Sequence, residues 1–302
     1  MLKSKKIKSL VIGAGSIGLR HINILEGLGH NTALVTKRKD LDFTTYLKTE
    51  FALKSFDPDY IIIANETYKH TNELEQVHKF SKNKIILVEK PIFNNLNNID
   101  TYKFSKNNIF VGYNLRYHFF IKFIQKLQLK ENILSGNIYV GQYLPDWRPN
   151  RDYKLSYSAD TAKGGGVLLE LSHEFDYLLL LFGKCIKSFS LIDKLSDLKI
   201  NCNDSVVGIL KFEQCQQISY NFNLIDKLSR REIILNTNYN TYKFDLVNNI
   251  ISTNNNNKKY DLNIDETYKD MHLDILYNKG KNACSFQKGV EVLNFINETK
   301  VL

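Results

Sequence analysis

The sequence predicts an α/β protein, in which a doubly wound parallel sheet is followed by a second α/β domain with a large, open and mainly antiparallel sheet. Three observations predict this class. Strand and helix patterns alternate from the start of the chain to about residue 115. Several strand patterns then follow one another from residue 186 onwards. The length of 302 residues leaves room for two domains, which we place at 1–117 and 118–302.

The alternating patterns of the first part predict parallel strands that are joined by helices on both faces of the sheet. Lys6 to Ile12 turns into an apolar run and predicts the first strand. Apolar residues at helical spacing, in register with His21, predict the next helix, which Gly29 ends. The elements predicted after it are strands at 31–35, 59–64, 85–88 and 109–112, and helices at 68–80 and 96–104.

The second part of the chain has one strong helix pattern, at 167–182, after a strand pattern at 138–143. The strands of the predicted antiparallel meander are 186–192, 205–212, 217–222, 232–235, 242–246 and 250–253. The Asn254–Asn257 tract predicts a hairpin tip, and helices at 266–278 and 287–298 close the chain. A sheet of this size suits a domain that holds the substrate or dimerises through its open face.

The composition is that of a globular protein, with 43% hydrophobic and 24% charged residues. The net charge of +9 comes from scattered lysines without a dense basic block, so we expect no nucleic-acid partner. The four cysteines are widely spaced and form no C-x-x-C pair, which favours a reduced, cytoplasmic protein without a metal site. The longest apolar run, Tyr177 to Phe182, is too short to cross a membrane.

The most informative motif, V-I-G-A-G-S-I-G-L-R-H, lies between the first strand and its helix. A G-x-G-x-x-G pattern in this setting is typical of dinucleotide binding in a Rossmann domain. Gly13 permits the tight turn, Gly15 lets the backbone approach a pyrophosphate, and Gly18 lets helix and strand pack closely. Because a helix N-terminus favours negative charge, we expect the pyrophosphate beside Ser16 and Ile17.

The residues after the second strand indicate which dinucleotide is bound. Sites that select NAD usually place an acid there to bind the ribose 2′-hydroxyl. Here the strand is followed by Thr36, Lys37 and Arg38, which suit a 2′-phosphate because arginine offers planar, permanently charged donors. Asp40 lies beyond the strand and is expected to be a solvated turn residue. We therefore expect NADP(H) to be favoured, with NAD(H) as the alternative.

Ligands of open α/β sheets bind outside the carboxyl ends of the strands. Asn65 and Glu66, with His70 nearby, follow one predicted strand, and Glu89 and Lys90 follow the next. We expect all five residues to contact the cofactor near its nicotinamide. An ammonium group in this crevice can donate to a developing alkoxide or relay a proton, which makes Lys90 a candidate catalytic residue.

Three motifs in order, G-A-G-S-I-G, E-K-P and G-G-G-V-L-L-E-L-S-H-E-F-D, resemble those of the Gfo/Idh/MocA oxidoreductases. The family is named for glucose-fructose oxidoreductase, inositol dehydrogenase and a rhizopine-catabolism protein, and the likeness covers essentially the whole chain. It implies a Rossmann domain, an α/β domain with a large open sheet, and nicotinamide-dependent chemistry at a sugar, nucleotide-sugar or cyclitol carbon. The run from W-R-P to G-G-G resembles members found with bacterial surface-glycan genes.

The resemblance assigns roles to matching positions of this chain. The E-K-P lysine, here Lys90, contacts the reacting oxygen and the nicotinamide ribose, and the proline after it, Pro91, often follows a cis bond. Glu89 is expected to orient the loop or the cofactor. His173 matches the family's proton-transfer histidine, and its chemistry fits because imidazole titrates near neutrality. Asp176 matches the last residue of the same H-x-x-D segment, on the substrate side.

The chain departs from the family pattern next to this histidine. Many members have an aspartate four residues before it, where this chain has Leu169. Glu170 lies three residues before His173, a spacing that also shares a helix face, so Glu170 is the candidate substitute.

Two further segments are candidates for substrate binding. Arg116 matches an arginine that the family often uses near the substrate, with a domain-interface role as the alternative. In the loop from Trp147 to Tyr153, the indole offers an apolar face for a sugar ring, while Arg148 and Arg151 suit a phosphate or carboxylate. A structural loop with Arg148 in a salt bridge is the alternative.

Together these inferences predict an oxidoreductase that favours NADP(H) and moves a hydride between the nicotinamide and a secondary hydroxyl or ketone of a sugar or nucleotide sugar. We expect a homodimer or homotetramer. The alternatives are a non-catalytic nucleotide or sugar sensor on the same scaffold, and a reductase of an imine or enone. Lys90 and His173 favour the enzyme, because a sensor needs neither.

Overall fold

The computed structural model describes residues 6–97, 99, 104–254 and 256–299. They divide into two compact units. The first contains the chain up to residue 114 together with 264–290, and the second contains 115–263 together with the residues from 291 onwards. The prediction of two domains at 1–117 and 118–302 places residues 264–290 in the second domain. In the structure these residues belong to the first unit. The predicted helix at 96–104 lies partly outside the described residues.

Strands and helices are numbered along the described part of the chain. The strands are β1 (Lys8–Ile12), β2 (Asn31–Val35), β3 (Thr45–Tyr46), β4 (Tyr60–Ile63), β5 (Ile85–Val88), β6 (Asn108–Val111), β7 (Ile133–Gly141), β8 (Cys185–Asp193), β9 (Ser205–Phe212), β10 (Ile218–Asn223), β11 (Arg230–Thr237), β12 (Thr241–Asp245), β13 (Ile250–Thr253), β14 (Asn256–Lys259) and β15 (Cys284–Ser285). The helices are α1 (Ser16–Gly27), α2 (Thr49–Ser55), α3 (His70–Phe80), α4 (Phe119–Leu127), α5 (Val167–Glu170), α6 (Ser172–Phe182), α7 (Ile264–Tyr277) and α8 (Phe286–Thr299).

The sheet of the first unit has the order β15-β6-β5-β4-β1-β2-β3. Its neighbouring strands are parallel except β15, which is antiparallel to β6. Every residue of β4 is buried, as expected for a central strand with both faces covered. The predicted doubly wound parallel sheet is confirmed. The short elements β3 and α2 were not predicted, because neither offers a long periodic pattern.

The sheet of the second unit has the order β14-β13-β12-β11-β7-β10-β9-β8. The large, mainly antiparallel sheet is confirmed, but the expected continuous meander is divided. β7 lies between β11 and β10, antiparallel to the former and parallel to the latter, and Ile138 pairs with both Ile233 and Tyr220. Alternate residues of β7 are buried, so one face of this central strand is covered. β13 and β14 pair as a hairpin, and of the Asn254–Asn257 tract predicted as a hairpin tip, Asn256 and Asn257 belong to β14.

The single helix predicted at 167–182 is two helices in the structure. The backbone leaves the helical conformation at Leu171, with φ −100° and ψ 34°, between α5 and α6. Leu171 is 1% exposed, so apolar periodicity continues through the break and conceals it in the sequence. No helix among the described residues is long and apolar enough to span a membrane.

Candidate active site

The glycine turn lies between β1 and α1, and its glycines meet different demands. Gly13 has φ +106°, and a Cβ there would lie 2.8 Å from the backbone nitrogen of Asn65. A Cβ on Gly18 would overlap the Gly13 carbonyl oxygen, whereas a Cβ on Gly15 would meet nothing within 4 Å. Gly13 and Gly18 thus permit the close packing of the turn, and Gly15 leaves open space beside it.

The N-terminus of α1 is open to an anion. Gly15 occupies the cap position without a side-chain hydrogen bond, and the first turn, which contains Ser16 and Ile17, has no acidic residue. Asn65, whose backbone lies against Gly13, has a buried Oδ1 without a hydrogen-bond partner among the described residues. The open helix end suits a pyrophosphate, and the amide oxygen can accept a ribose hydroxyl, so these residues fit a dinucleotide.

Arg38 lies beside the glycine turn. Its Nη1 donates to the Ala14 carbonyl at 3.2 Å, and its Nε and Nη2 donate to the Asp40 carboxylate at 3.1 and 2.6 Å. The Thr36 hydroxyl accepts the Arg38 backbone N–H at 3.1 Å. Asp40 is exposed as expected, but it is also an ion-pair partner, and hydrogen bonding to the guanidinium lowers the pKa of its carboxyl. Lys37 is exposed.

His70 connects the segments that follow β4 and β5. Its Nδ1 lies 3.0 Å from the Pro91 carbonyl oxygen, and its Nε2 lies 3.1 Å from that of Asn65. The side chain is enclosed by protein, and burial lowers the pKa of the imidazole. His70 therefore connects these two segments, and its contact with the cofactor stays a prediction. Glu66 is half-buried and paired with Lys69 at 2.7 Å.

The E-K-P segment follows β5 directly. The bond between Lys90 and Pro91 is cis, as the resemblance implied, and Lys90 is half-buried. Glu89 is buried, and its Oε2 accepts the Lys90 backbone N–H at 3.3 Å. Its Oε1 lies 3.0 Å from Nε2 of His21. Glu89 therefore contacts the backbone that presents Lys90.

The helix break separates Glu170 from His173. Glu170 is the last residue of α5 and is 7% exposed, while His173 is half-buried in the first turn of α6. The i,i+3 spacing on one continuous helix, which suggested that the two side chains share a face, does not hold because Leu171 interrupts the helix. Glu170 as the substitute for the family aspartate stays a prediction.

Arg116 and Asp176, for which the sequence predicts a substrate role, contact each other in the structure. Their side chains form an ion pair, with Nη2 2.6 Å from Oδ1 and exposed fractions of 3% and 1%. The Arg116 Nε donates to both carboxylate oxygens, at 3.1 and 2.9 Å. Both side chains are covered by protein, so the pair is a buried contact within the second unit, and the substrate role of the two residues stays a prediction.

The Trp147 loop remains a candidate substrate segment. Trp147 ends a short 3-10 turn, its ring is half-buried, and its Nε1 is buried without a hydrogen-bond partner among the described residues. Arg148 is half-buried and Arg151 is exposed. Tyr153 uses its hydroxyl to accept the Lys199 backbone N–H at 3.2 Å, so this residue shapes the loop.

Comparisons with known proteins identify the fold. No family model and no curated protein matches the chain. Among solved structures, the WlbA dehydrogenase from Bordetella pertussis in complex with NADH and UDP-GlcNAcA is 15% identical, with a TM-score of 0.81 over 99% of this chain and 96% of that chain. UDP-N-acetylglucosamine 3-dehydrogenase GnnA from Acidithiobacillus ferrooxidans is 14% identical, with a TM-score of 0.77 over 99% and 98%.

An oxidoreductase domain protein from Kribbella flavida is 13% identical, with a TM-score of 0.82 over 98% of this chain and 96% of that chain. The chain has the fold of these oxidoreductases. The two-domain architecture that the resemblance to the Gfo/Idh/MocA enzymes implied is thereby confirmed along almost the whole length.

Within this oxidoreductase fold, two residues that the sequence did not single out form hydrogen bonds behind the E-K-P segment. His272 on α7 lies 2.9 Å from His21, and its other ring nitrogen lies 3.0 Å from the Tyr60 hydroxyl. The only sequence signal was His21 itself, a histidine in register with the buried apolar face of α1. No cluster of three or more metal-ligating side chains occurs in the parts of the chain that the structure describes.

Proposed function

We propose that this protein is an NAD(P)-dependent oxidoreductase that moves a hydride between the nicotinamide and a secondary hydroxyl or ketone of a nucleotide sugar. The proposal rests on the glycine turn. The N-terminus of α1 has no side-chain cap, the space beside Gly15 is open, and the buried Oδ1 of Asn65 has no hydrogen-bond partner among the described residues. A dehydrogenase of the same fold was solved with NADH and UDP-GlcNAcA, which supports both ligand classes.

The substrate class we propose is a UDP-N-acetylhexosamine or its uronic acid. WlbA was solved with UDP-GlcNAcA, and GnnA is by name a UDP-N-acetylglucosamine 3-dehydrogenase. In this chain, the unpaired indole N–H of Trp147 can donate to a sugar hydroxyl, and the ring can pack against the pyranose. Arg148 and Arg151 supply guanidinium groups for the diphosphate or the carboxylate.

The chemistry divides between the cofactor and two side chains. A bound nicotinamide supplies the hydride acceptor or donor. We assign Lys90 to the reacting oxygen, which its ammonium group stabilises as charge develops. We assign His173 to the proton of the same hydroxyl, which the imidazole accepts during oxidation and returns during reduction. Glu170 is proposed to support His173.

NADP(H) is the proposed cofactor, with NAD(H) as the alternative. Thr36 and Arg38 follow β2, where NAD-selective sites have an acid, and Arg38 is already held beside the glycine turn by Ala14. The guanidinium is shared with Asp40, which offsets part of its charge. The preference for NADP(H) therefore depends on how well its 2′-phosphate competes with Asp40 for the Arg38 guanidinium.

We further propose that two copies of the chain associate through the apolar end of the large sheet. Phe189 and Leu191 on β8 pair across the ladder with Ile209 and Val207 on β9, and all four side chains are exposed. Monomeric proteins rarely expose a contiguous apolar patch of this kind without a partner.

The test is turnover, followed through the absorbance of the reduced nicotinamide, with UDP-N-acetylhexosamines, their uronic acids and free sugars. We expect turnover with the nucleotide sugars only, and Lys90→Ala should abolish it while the cofactor still binds. Lys82→Ala, a change of an exposed lysine before β5, is the matched control and should leave turnover unchanged. Tight binding of the cofactor and a nucleotide sugar without turnover would instead indicate a sensor.

A further inference from the structure

Four polar side chains of the first unit form a continuous hydrogen-bond chain. The Tyr60 hydroxyl lies 3.0 Å from His272 Nδ1, His272 Nε2 lies 2.9 Å from His21 Nδ1, and His21 Nε2 lies 3.0 Å from Glu89 Oε1. Tyr60, His272 and His21 are fully buried, and Glu89 is 8% exposed. The hydrogen-bond chain thus joins β4, α7 and α1 to Glu89, the residue that precedes Lys90.

The hydrogen-bond chain has one direction when Glu89 is a carboxylate, which can only accept, and both imidazole rings are neutral. His21 then donates from Nε2 and accepts at Nδ1. His272 donates from Nε2 to His21 and accepts the Tyr60 hydroxyl at Nδ1. Each ring uses its one donor and one acceptor, which are what a neutral imidazole has.

The pKa shifts that burial causes support this arrangement of protons at the Tyr60 end of the hydrogen-bond chain. Burial raises the pKa of the Tyr60 hydroxyl well above its usual range, so the tyrosine keeps its proton. Burial lowers the pKa of His272 well below its usual range, so that ring stays neutral. A protonated His272 would have no acceptor at Nδ1 to offer Tyr60.

We propose that His21 and His272 are positioning residues, which hold the Glu89 carboxylate in one orientation and so fix the backbone that presents Lys90. This inference rests on the proposed role of Lys90. The second carboxylate oxygen of Glu89 accepts the Lys90 N–H at 3.3 Å, so both oxygens are engaged. A Cβ on Gly112 would overlap Oε1, which shows how closely the carboxylate is confined.

The arrangement also connects the proposed cofactor site to the proposed catalytic lysine. His21 lies on α1, the helix whose N-terminus is open to a pyrophosphate. A displacement of α1 would change the contact between His21 and Glu89, and through it the backbone at Lys90. A network with only a structural role would stabilise the fold without this effect on turnover.

The first test reads the protons directly, by ¹⁵N spectra of protein labelled on its histidine rings at neutral pH. We expect His21 and His272 to be neutral with the proton on Nε2, and Glu89→Gln to shift the signals of both rings because each hydrogen bond polarises the next. A proton on Nδ1 of either ring overturns the inference. The spectra need no substrate, so absence of turnover with these signals present contradicts only the proposed function.

The second test compares two substitutions of His21. The amide of His21→Gln can still donate to Glu89, whereas His21→Met has similar bulk and no donor. We expect kcat to fall about tenfold with Met, to be restored to within about threefold with Gln, and KM to change little in either. Tyr177→Phe, which removes a buried hydroxyl in the second unit, is the control for core changes. Equal losses of kcat in the two His21 variants would overturn the positioning role.

Discussion

The guanidinium of Arg116 lies against the carboxylate of Asp176, with Nη2 2.6 Å from Oδ1 and both side chains covered by protein. The pair joins the start of the second unit to α6, the helix whose first turn contains His173. A buried pair of this kind is costly to break, because removing one partner leaves the other as an uncompensated buried charge. The pair therefore gives this arginine and this aspartate a role in the stability of the second unit.

Breaking this pair should reduce stability rather than substrate affinity. We expect Asp176→Asn to lower the free energy of unfolding by roughly 3–5 kcal/mol, measured by urea denaturation. Asp146→Asn, at an exposed aspartate of the same unit, should change it by less than about 0.5 kcal/mol. An unchanged unfolding midpoint combined with a raised KM would return Asp176 to the substrate site.

Because the space beside Gly15 is open, a substitution of Gly15 should change cofactor binding without changing the stability of the fold. A methyl group there meets no protein atom within 4 Å, so Gly15→Ala should fold with an unchanged melting temperature. It should raise the Kd of the cofactor by about tenfold, or about 1.4 kcal/mol, because the methyl occupies the space proposed for the pyrophosphate. Gly27→Ala, which is also unobstructed but lies at the other end of α1, should not change the Kd in a calorimetric titration.

Cofactor selectivity should depend on the competition for Arg38. Arg38→Ala is expected to reduce kcat/KM for NADPH by about tenfold or more and to change the value for NADH by less than about threefold. Asp40→Asn should shift the ratio toward NADPH, because it releases the guanidinium from its ion pair. Equal effects of Arg38→Ala on both cofactors would contradict the proposed 2′-phosphate contact.

His118 should make the fold sensitive to acid. Its Nδ1 accepts the Phe120 N–H at 3.2 Å as the cap of α4, and burial, with Arg231 and Lys122 nearby, lowers its pKa from 6.5 to about 4. The unfolded chain therefore binds a proton at higher pH than the folded chain does. Stability should fall as the pH decreases from 6.5 toward 4, by about 3 kcal/mol at pH 4.

Removing the titration should remove this part of the pH dependence. An asparagine can cap α4 in place of His118 but does not titrate, so His118→Asn should be less destabilised by acid than the native chain. Urea unfolding at several pH values measures how much stability each protein loses on acidification. Above pH 7 the two proteins should show the same pH dependence of stability. Parallel curves for the two proteins over the whole range would show that His118 does not cause the loss.

The apolar end of the large sheet should control association. Phe189→Lys with Ile209→Lys places two charges at one cross-strand pair, and we expect sedimentation to give a single chain of 35.1 kDa instead of a dimer. Leu228→Lys, at an exposed leucine after β10, should leave the oligomer intact. A native chain that sediments as a monomer would refute the proposed dimer.

Local patterns were sufficient for most of the fold. The strands β2, β5, β9 and β13 have the predicted boundaries, because each is an apolar or alternating run with turn residues at its ends. The place of β7 could not be predicted, since strand order depends on long-range pairing and not on the pattern within a strand. The break at Leu171 could not be predicted from the sequence either. Both α5 and α6 bury apolar residues, and the apolar periodicity continues through Leu171.

The sequence by itself determined the class of fold and the cofactor turn, because glycine spacing, strand alternation and the E-K-P motif are each patterns of a few neighbouring residues. Only the tertiary structure decided how the charged and polar residues are used. It paired Arg116 with Asp176, enclosed His70, and brought His21 within 2.9 Å of His272, which lies 251 residues away in the chain. Such contacts are set by the packing of distant elements around a buried charge, for which neighbouring residues leave no signal.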